Sequence, residues 1–319
     1  MWVDDHHTLQ QSRRSAAIGF VNFTGTAGIW RATAIEAAGG WRSASLVEDC
    51  ELSFRALFAG FRTRFVRDVV VPAELPQTID AYRLQQKRWT QGWAQLQRLH
   101  LGHLLRRYPA PLLRRAYLTY VMCISWQWPL WAIWVLIFPF LIAHDLWIAS
   151  LDARYGALLY LLPPLGFALF TAVAAAREST YTYSMNSLPN RADIATRFAR
   201  VVPYLFVNTA MLPHHVCAFL EGLFGPMHAE FERTPKTAAV TATATNSIPS
   251  TRPVASRSPK PRLDRRAYFA ADLGFTAVSL CWATHFSLAG NYFAALGAAW
   301  LAACIAGLRV AQALPRAGR

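Results

Sequence analysis

Residues 116–143 read AYLTYVMCISWQWPLWAIWVLIFPFLIA and contain no charged side chain. As a helix this stretch is long enough to cross a bilayer, since each helical residue advances about 1.5 Å. Pro129 and Pro139 mark candidate kinks. Trp126, Trp128, Trp131 and Trp134 suit membrane interfaces or helix packing. Three more apolar runs follow, at residues 156–176, 267–286 and 291–311, with Asp272 as a polar blemish in the third span. Residues 201–224 are also apolar but hold Pro203, Asn208, His214, His215 and Glu221. Ionisable groups at mid-bilayer are costly. The loop after them, 225–266, carries eight Lys or Arg, whereas 144–155 carries only Arg154. A spanning 201–224 would put that basic loop outside, against the positive-inside rule. These residues therefore read as an interfacial amphipathic helix pair. Residues 237–263, rich in Thr, Ala, Ser and Pro, read as a disordered linker.

The chain before this stretch is different. Residues 1–115 are mixed and charge-bearing, within a chain that is 54% hydrophobic overall, so a soluble head precedes membrane spans. Residues 18–30 read as a strand entering a glycine-bearing turn, and 31–38 as a short helix ended by Gly39-Gly40. Residues 46–59 read as a helix opened by Glu48 and Asp49, with Gly60 as its cap. Residues 65–71 read as a strand. Residues 78–101 read as a helix with Gln85, Arg88 and Gly92 three and four apart.

The net charge of +14 is compatible with nucleic acid, anionic lipid or a phosphorylated substrate. Much of it flanks apolar runs: Arg106, Arg107, Arg114 and Arg115 precede one, Arg265 and Arg266 another. That placement, with no recognisable nucleic-acid module, points to membrane topology and excludes a nucleic-acid partner. Five dispersed cysteines give neither a disulfide frame nor a zinc site. The opening MWVDDHH has no basic and apolar signal pattern, and no first strand leads into the fold.

Four segments carry candidate chemistry. Gln85, Arg88 and Trp89 give one helix face an amide, a guanidinium and an indole. Arginine grips phosphate in a bidentate manner and keeps its charge, and an indole offers a flat platform for a sugar ring. The same residues also read as a plain polar helix. Glu48-Asp49 places carboxylates at a helix amino end, where ionised carboxylates are stabilised; one can take a proton from a hydroxyl, or both can simply cap the helix. Phe23-Thr24-Gly25-Thr26, continuing to Arg31, is a glycine-bearing turn that lets backbone approach a ligand, or an ordinary strand turn. Phe231, Thr234 and Lys236 lie in a basic, hydroxyl-bearing loop, or a solvated one.

Taken together, the order and spacing of the four segments resemble the family 2 processive glycosyltransferases, which include cellulose synthases and plant-type mannan synthases. That family has a Phe-Asn-Gly-Thr-like segment, then Thr-Glu-Asp, then Gln-x-x-Arg-Trp, membrane helices, and a Phe-x-Val-Thr-x-Lys gating loop. Gly39-Gly40-Trp41 and Pro72-Ala73-Glu74-Leu75-Pro76 look closest to the mannan branch. The resemblance covers residues 18–236, with Val47 in place of the usual threonine.

The resemblance implies an α/β, partial glycosyltransferase-A-type domain followed by an all-α transmembrane region. Its segments are a catalytic half-domain at 1–115, two transmembrane helices with interfacial helices at 116–224, a gating-type loop and linker at 225–266, and two transmembrane helices at 267–319. It implies Asp49 as general base beside Glu48, with Gln85, Arg88, Trp89 and residues Phe23 to Thr26 binding donor and acceptor. Phe231, Thr234 and Lys236 would close over the nucleotide. The partners are a nucleotide-sugar, a polysaccharide acceptor and the bilayer of a plasma (inner) membrane, with several passes and a cytoplasmic catalytic face. A divalent metal, Mg or Mn, is expected for the full-length enzyme. Its Asp-x-Asp ligands and the first nucleotide-binding half are absent before residue 18, so the chain is expected to be a truncated copy without turnover of its own. The rival is a non-catalytic polytopic membrane protein, a transporter or structural subunit.

Overall fold

The structure is a computed structural model that describes residues 10–25, 27–66, 69, 75–76, 78–144, 166, 191–227 and 265–313. Among them every regular element is helical: α1 Ser12–Ile18, α2 Ala32–Ala37, α3 Glu48–Phe58, α4 Ile79–Arg106 and α5 Leu112–Met122 form the head. After the 3-10 turn Ile124–Trp126 come α6 Gln127–Ala143, α7 Arg191–Ala210, α8 Leu212–Phe224, α9 Arg265–Leu288 and α10 Tyr292–Ala313.

The two expected strands are a correction to the α/β reading. Residues 20–30 run without regular structure where described, and so do 61–66. A strand needs a neighbouring backbone to pair with. Here the Val21 amide donates to the Thr63 hydroxyl, and the Phe23 amide donates to Ser53 Oγ at 2.8 Å. Side chains take the places a ladder would fill. The Thr63 amide does reach the Gly19 carbonyl, at 3.2 Å, but no ladder continues from it. The other residues of 65–71 fall partly outside the described set.

The head core packs α3 against α4 and α5. Phe20, Phe54, Leu57, Leu96, Leu104 and Leu118 are its interior, each at most 1% exposed. Burying such side chains contributes about 1.5–3 kcal/mol each. Thr78 caps α4 by accepting from the Ala81 amide at 3.1 Å, the side-chain cap expected of threonine. Glu51 ties three helices together. Its carboxylate accepts from Arg55 Nε at 2.7 Å and lies 2.7 Å from His100 Nε2 of α4, and Arg55 also donates to the Ala38 carbonyl beyond α2.

The apolar run at 116–143 is not one helix. It breaks at Cys123, and Pro129 lies in the first turn of α6, where a missing amide costs nothing. Pro139 alone is interior to the helix. Among the described residues two stretches, Ile124–Ala143 and Tyr292–Ala313, are long and apolar enough to cross a membrane. α9 and α10 form an antiparallel hairpin turning at Gly290, whose φ is +74°. α6 packs on it through Phe138, Ile142, Phe286 and Ala298. Residues 201–224 are the end of α7 and all of α8, separated at Met211. The expected span at 156–176, Gly166 apart, and the linker at 237–263 lie outside the described residues.

Candidate functional site

The amino end of α3 is the focus. Val47 precedes it in a non-helical conformation, and Glu48, Asp49 and Glu51 fill its first turn. Unpaired amides and the helix dipole favour carboxylates at that place. Asp49 Oδ1 accepts from the Cys50 amide at 2.7 Å. Desolvation by burial, with help from the Glu48 charge, lifts the Asp49 carboxyl above its ordinary range, against the lowering effect of that amide.

The turn at Phe23 to Gly25 is fastened onto this helix end. Ser53 Oγ receives the Phe23 amide and itself donates to the Asp49 carbonyl at 2.8 Å. The buried Asn22 amide donates to Cys50 Sγ at 3.4 Å, and the Cys50 thiol in turn donates to the Phe23 carbonyl at 3.5 Å. Gly25 then passes the carboxylate so closely that a Cβ there would sit 3.3 Å from Asp49 Oδ2. Its φ of +83° is a left-handed value that glycine adopts without strain. Phe23 meets Trp30 edge-on at 5.6 Å, and Trp30 meets the half-exposed Trp41 at 6.2 Å. An aromatic wall therefore flanks the turn.

Helix α4 closes the other side. Gly92 is pressed onto the start of α3, where a Cβ would meet Val47 Cγ1 at 2.6 Å and the Val47 amide nitrogen at 3.1 Å. One turn on, Gln95 Oε1 accepts the Leu46 amide at 3.0 Å. Gln85, Arg88, Trp89, Gly92 and Gln95 share one face by their three- and four-residue spacing. Desolvation lowers the Arg88 guanidinium from its ordinary range, and the charges of Glu48 and Asp49 oppose that, so the three groups act on one another. Trp89 stays 39% exposed, leaving its indole open to a ligand.

The expected residues Gly25, Glu48, Asp49 and Arg88 thus converge, with Phe23 and Trp89 flanking them. Thr24 is exposed at the turn, and Gln85 lies on the Arg88 face. Thr26 and the triad Phe231, Thr234 and Lys236 lie outside the described residues. Sequence reading missed Asn22, Cys50, Ser53 and Gln95, which hold the turn and the α3 entrance. Only Gln95 had a signal, seven residues after Arg88 on the same helix face. A divalent metal does not fit what is described: no three His, Cys, Asp or Glu side chains gather among the described residues, and Asp49 and Glu48 stand as a pair.

Comparison with known proteins gives the same direction as the geometry. Residues 2–171 match the family model described as glycosyl transferase family group 2. The chain is 38% identical over 120 residues to "Glucomannan 4-beta-mannosyltransferase 1" of Oryza sativa subsp. japonica, covering 38% of the chain and 23% of that protein. It is 42% identical over 120 residues to the protein of the same name from Cyamopsis tetragonoloba, again 38% of the chain and 23% of the relative. "Probable glucomannan 4-beta-mannosyltransferase 11" of Oryza sativa subsp. japonica is 32% identical over 160 residues, 50% of the chain and 28% of the relative. The matches span only 23% to 28% of the length of these curated relatives. No solved structure matches the chain at a significant level.

Proposed function

Because the chain belongs to glycosyl transferase family group 2, we propose that it is the carboxyl-terminal, membrane-embedded part of an inverting β-glycan synthase. Such an enzyme moves a sugar from a nucleotide-sugar to a growing polysaccharide. The observation that carries this reading is the convergence of the Gly25 turn and the Arg88 face on the Glu48-Asp49 helix end.

The chemistry follows from what meets there. An acceptor hydroxyl attacks the anomeric carbon of the donor, a new glycosidic bond forms, and the bond to the nucleoside diphosphate breaks. Asp49 takes the hydroxyl proton. A carboxylate raised by burial holds a proton more tightly, which suits a base. Arg88 meets the charge that develops on the leaving diphosphate, at a partly desolvated place where that interaction is strong. Trp89 and the Phe23–Trp30–Trp41 wall offer apolar faces to sugar rings. The resemblance assigns closure over the nucleotide to Phe231, Thr234 and Lys236, which lie outside the described residues.

The membrane reading rests on the two long apolar helices and on their exposed surface. Leu130, Ile133, Ile137 and Phe140 of α6 and Leu288, Phe293 and Leu296 of the hairpin are each at least 44% exposed. A band of that kind needs covering, and lipid does so without a partner protein. The excess of Lys and Arg in residues 225–266 supports a cytoplasmic catalytic face, and an inner or plasma membrane is the location this reading implies. The relatives' names favour mannose as donor, and screening nucleotide-linked mannose against glucose decides it. The test of the mechanism is sugar incorporation by membranes carrying the full-length protein. Asp49→Asn is expected to lower the rate by about 10²–10⁴-fold. Full rate in that variant would remove Asp49 from the role of base.

A further inference from the structure

We propose that the buried ion pair between Arg83 of α4 and Asp272 of α9 is a positioning device that fixes the rotation of α4. It rests on the reading of α4 as the donor-binding helix. The two groups are 189 residues apart in sequence and 2.9 Å apart in space, with Arg83 7% and Asp272 3% exposed. Arg309 of α10 donates to the same Asp272 oxygen. Arg83 also donates to Gln312 Oε1 at 3.2 Å, and Gln312 reaches Asp80 Oδ1 at 3.1 Å.

These contacts belong to a stripe. Lys87 pairs with Glu221 of α8 at 2.8 Å, and Thr90 Oγ1 lies 2.8 Å from His215 Nδ1. Gly222 admits Ala94, and Arg98 donates to the Gly225 carbonyl at 2.7 Å. Positions 80, 83, 87, 90, 94 and 98 recur every three or four residues, so they share one face of α4. It is the face opposite Gln85, Arg88, Trp89, Gly92 and Gln95. One helix therefore docks on α8, α9 and α10 with one side and addresses the α3 carboxylates with the other.

Apolar contact alone leaves such a helix free to slide or roll, since it is non-directional. A buried guanidinium–carboxylate pair has one geometry, and leaving either charge alone inside is strongly unfavourable. Arg83 lies between one and two turns before Arg88, so a roll at Arg83 is passed to Arg88 with little loss. Asp272 and Arg83 lie on the face turned away from the reacting atoms and act through Arg88 and Trp89.

The test uses membranes carrying the full-length protein and the variants Asp272→Asn, Arg83→Gln, their double, and Arg83→Lys. Each neutralising single variant is expected to raise the donor KM about tenfold, the double no more than either single, and Arg83→Lys, which keeps the charge but not the fork, to fall between wild type and Arg83→Gln. A second readout needs no activity: maleimide labelling of a cysteine placed at Trp89→Cys, with Cys281→Ser removing the exposed native thiol. Asp272→Asn is expected to change its labelling rate severalfold. Unchanged KM and labelling, effects that multiply in the double variant, or a larger KM in Arg83→Lys than in Arg83→Gln would overturn the proposal. Should Asp272→Asn fail to accumulate, Arg83→Gln against Arg83→Lys gives the same decision. A labelling change caused by Asp272→Asn, beside an unchanged donor KM when the same substitution is made with Trp89 intact, would leave the positioning standing and remove the donor-site reading instead.

Discussion

Gly92→Ala is the sharpest single test of how α4 meets α3. The added Cβ would stand 2.6 Å from Val47 Cγ1, 2.9 Å from Cγ2 and 3.1 Å from the Val47 amide nitrogen. Carbon atoms in ordinary contact sit about 3.5–4.0 Å apart, so α4 has to retreat by about 1 Å. Rotating Val47 does not relieve this, because a β-branched side chain has few rotamers and the backbone nitrogen is also close. Overpacking of this kind costs about 1–3 kcal/mol. Alanine returns about 0.8–1 kcal/mol through its better helix propensity. The net loss of stability is therefore about 0–2 kcal/mol, small enough for the protein to fold. Activity should suffer far more. A 1 Å displacement of a group that positions reactants costs about 10²-fold in rate. The assay is sugar incorporation in membranes, beside thermal unfolding of the purified variant. Val47→Ala in the Gly92→Ala background removes the two closest atoms and should recover most of the rate. Full activity in Gly92→Ala, or no recovery in the double variant, would refute the close approach as the device that holds Arg88 near Asp49.

Three further outcomes follow from the same geometry. For Asp49 the folded carboxyl lies above its unfolded value, so ionising it costs stability as pH rises past the ordinary range; Asp49→Asn should unfold at a higher temperature at neutral pH while losing activity. Glu51 is the opposite case: burial alone would raise it, but hydrogen bonds from His100 and Arg55 hold it below its ordinary value. Its stabilisation is present above the unfolded carboxylate value and is lost as pH falls through the folded one. Glu51→Gln should cost about 3 kcal/mol at neutral pH and flatten the acid limb of the stability profile, measured by denaturant titration from pH 7 to pH 3. Gly25→Ala forces a left-handed residue and crowds Asp49 Oδ2, so it should lower the transfer rate at least tenfold with an unchanged fold by circular dichroism; wild-type kinetics would show the turn is not part of the site.

Much of this was legible in the chain because helices announce themselves locally. The spacing of Gln85, Arg88 and Gly92 and the acidic start of α3 each act within a few residues. Strands do not work that way. Residues 18–30 have a strand's composition, but their amides found Ser53 and Thr63 side chains, and nothing local encodes that choice. The break at Cys123 was equally silent, since the run from 116 to 143 is apolar on both sides of it. Asp272 reads in sequence as a blemish in a span. Its meaning depends on Arg83, which is remote in the chain, and no window reaches both.

The two faces of α4 explain why charged residues persist on a helix otherwise set against apolar neighbours. A helix that only had to dock could use aliphatic contacts, which are often as stabilising as a buried ion pair. A helix that only had to bind ligand could stand in solvent. α4 does both, and the opposite faces cannot be set independently, because a rigid helix has one rotation and one height. Fixing Arg83 against Asp272 and Gly92 against Val47 therefore determines where Arg88 stands relative to Asp49. The docking face also joins the site to α9 and α10, one of which is long and apolar enough to span a bilayer. Through that face the residues that address Asp49 are anchored to α8 and to the hairpin.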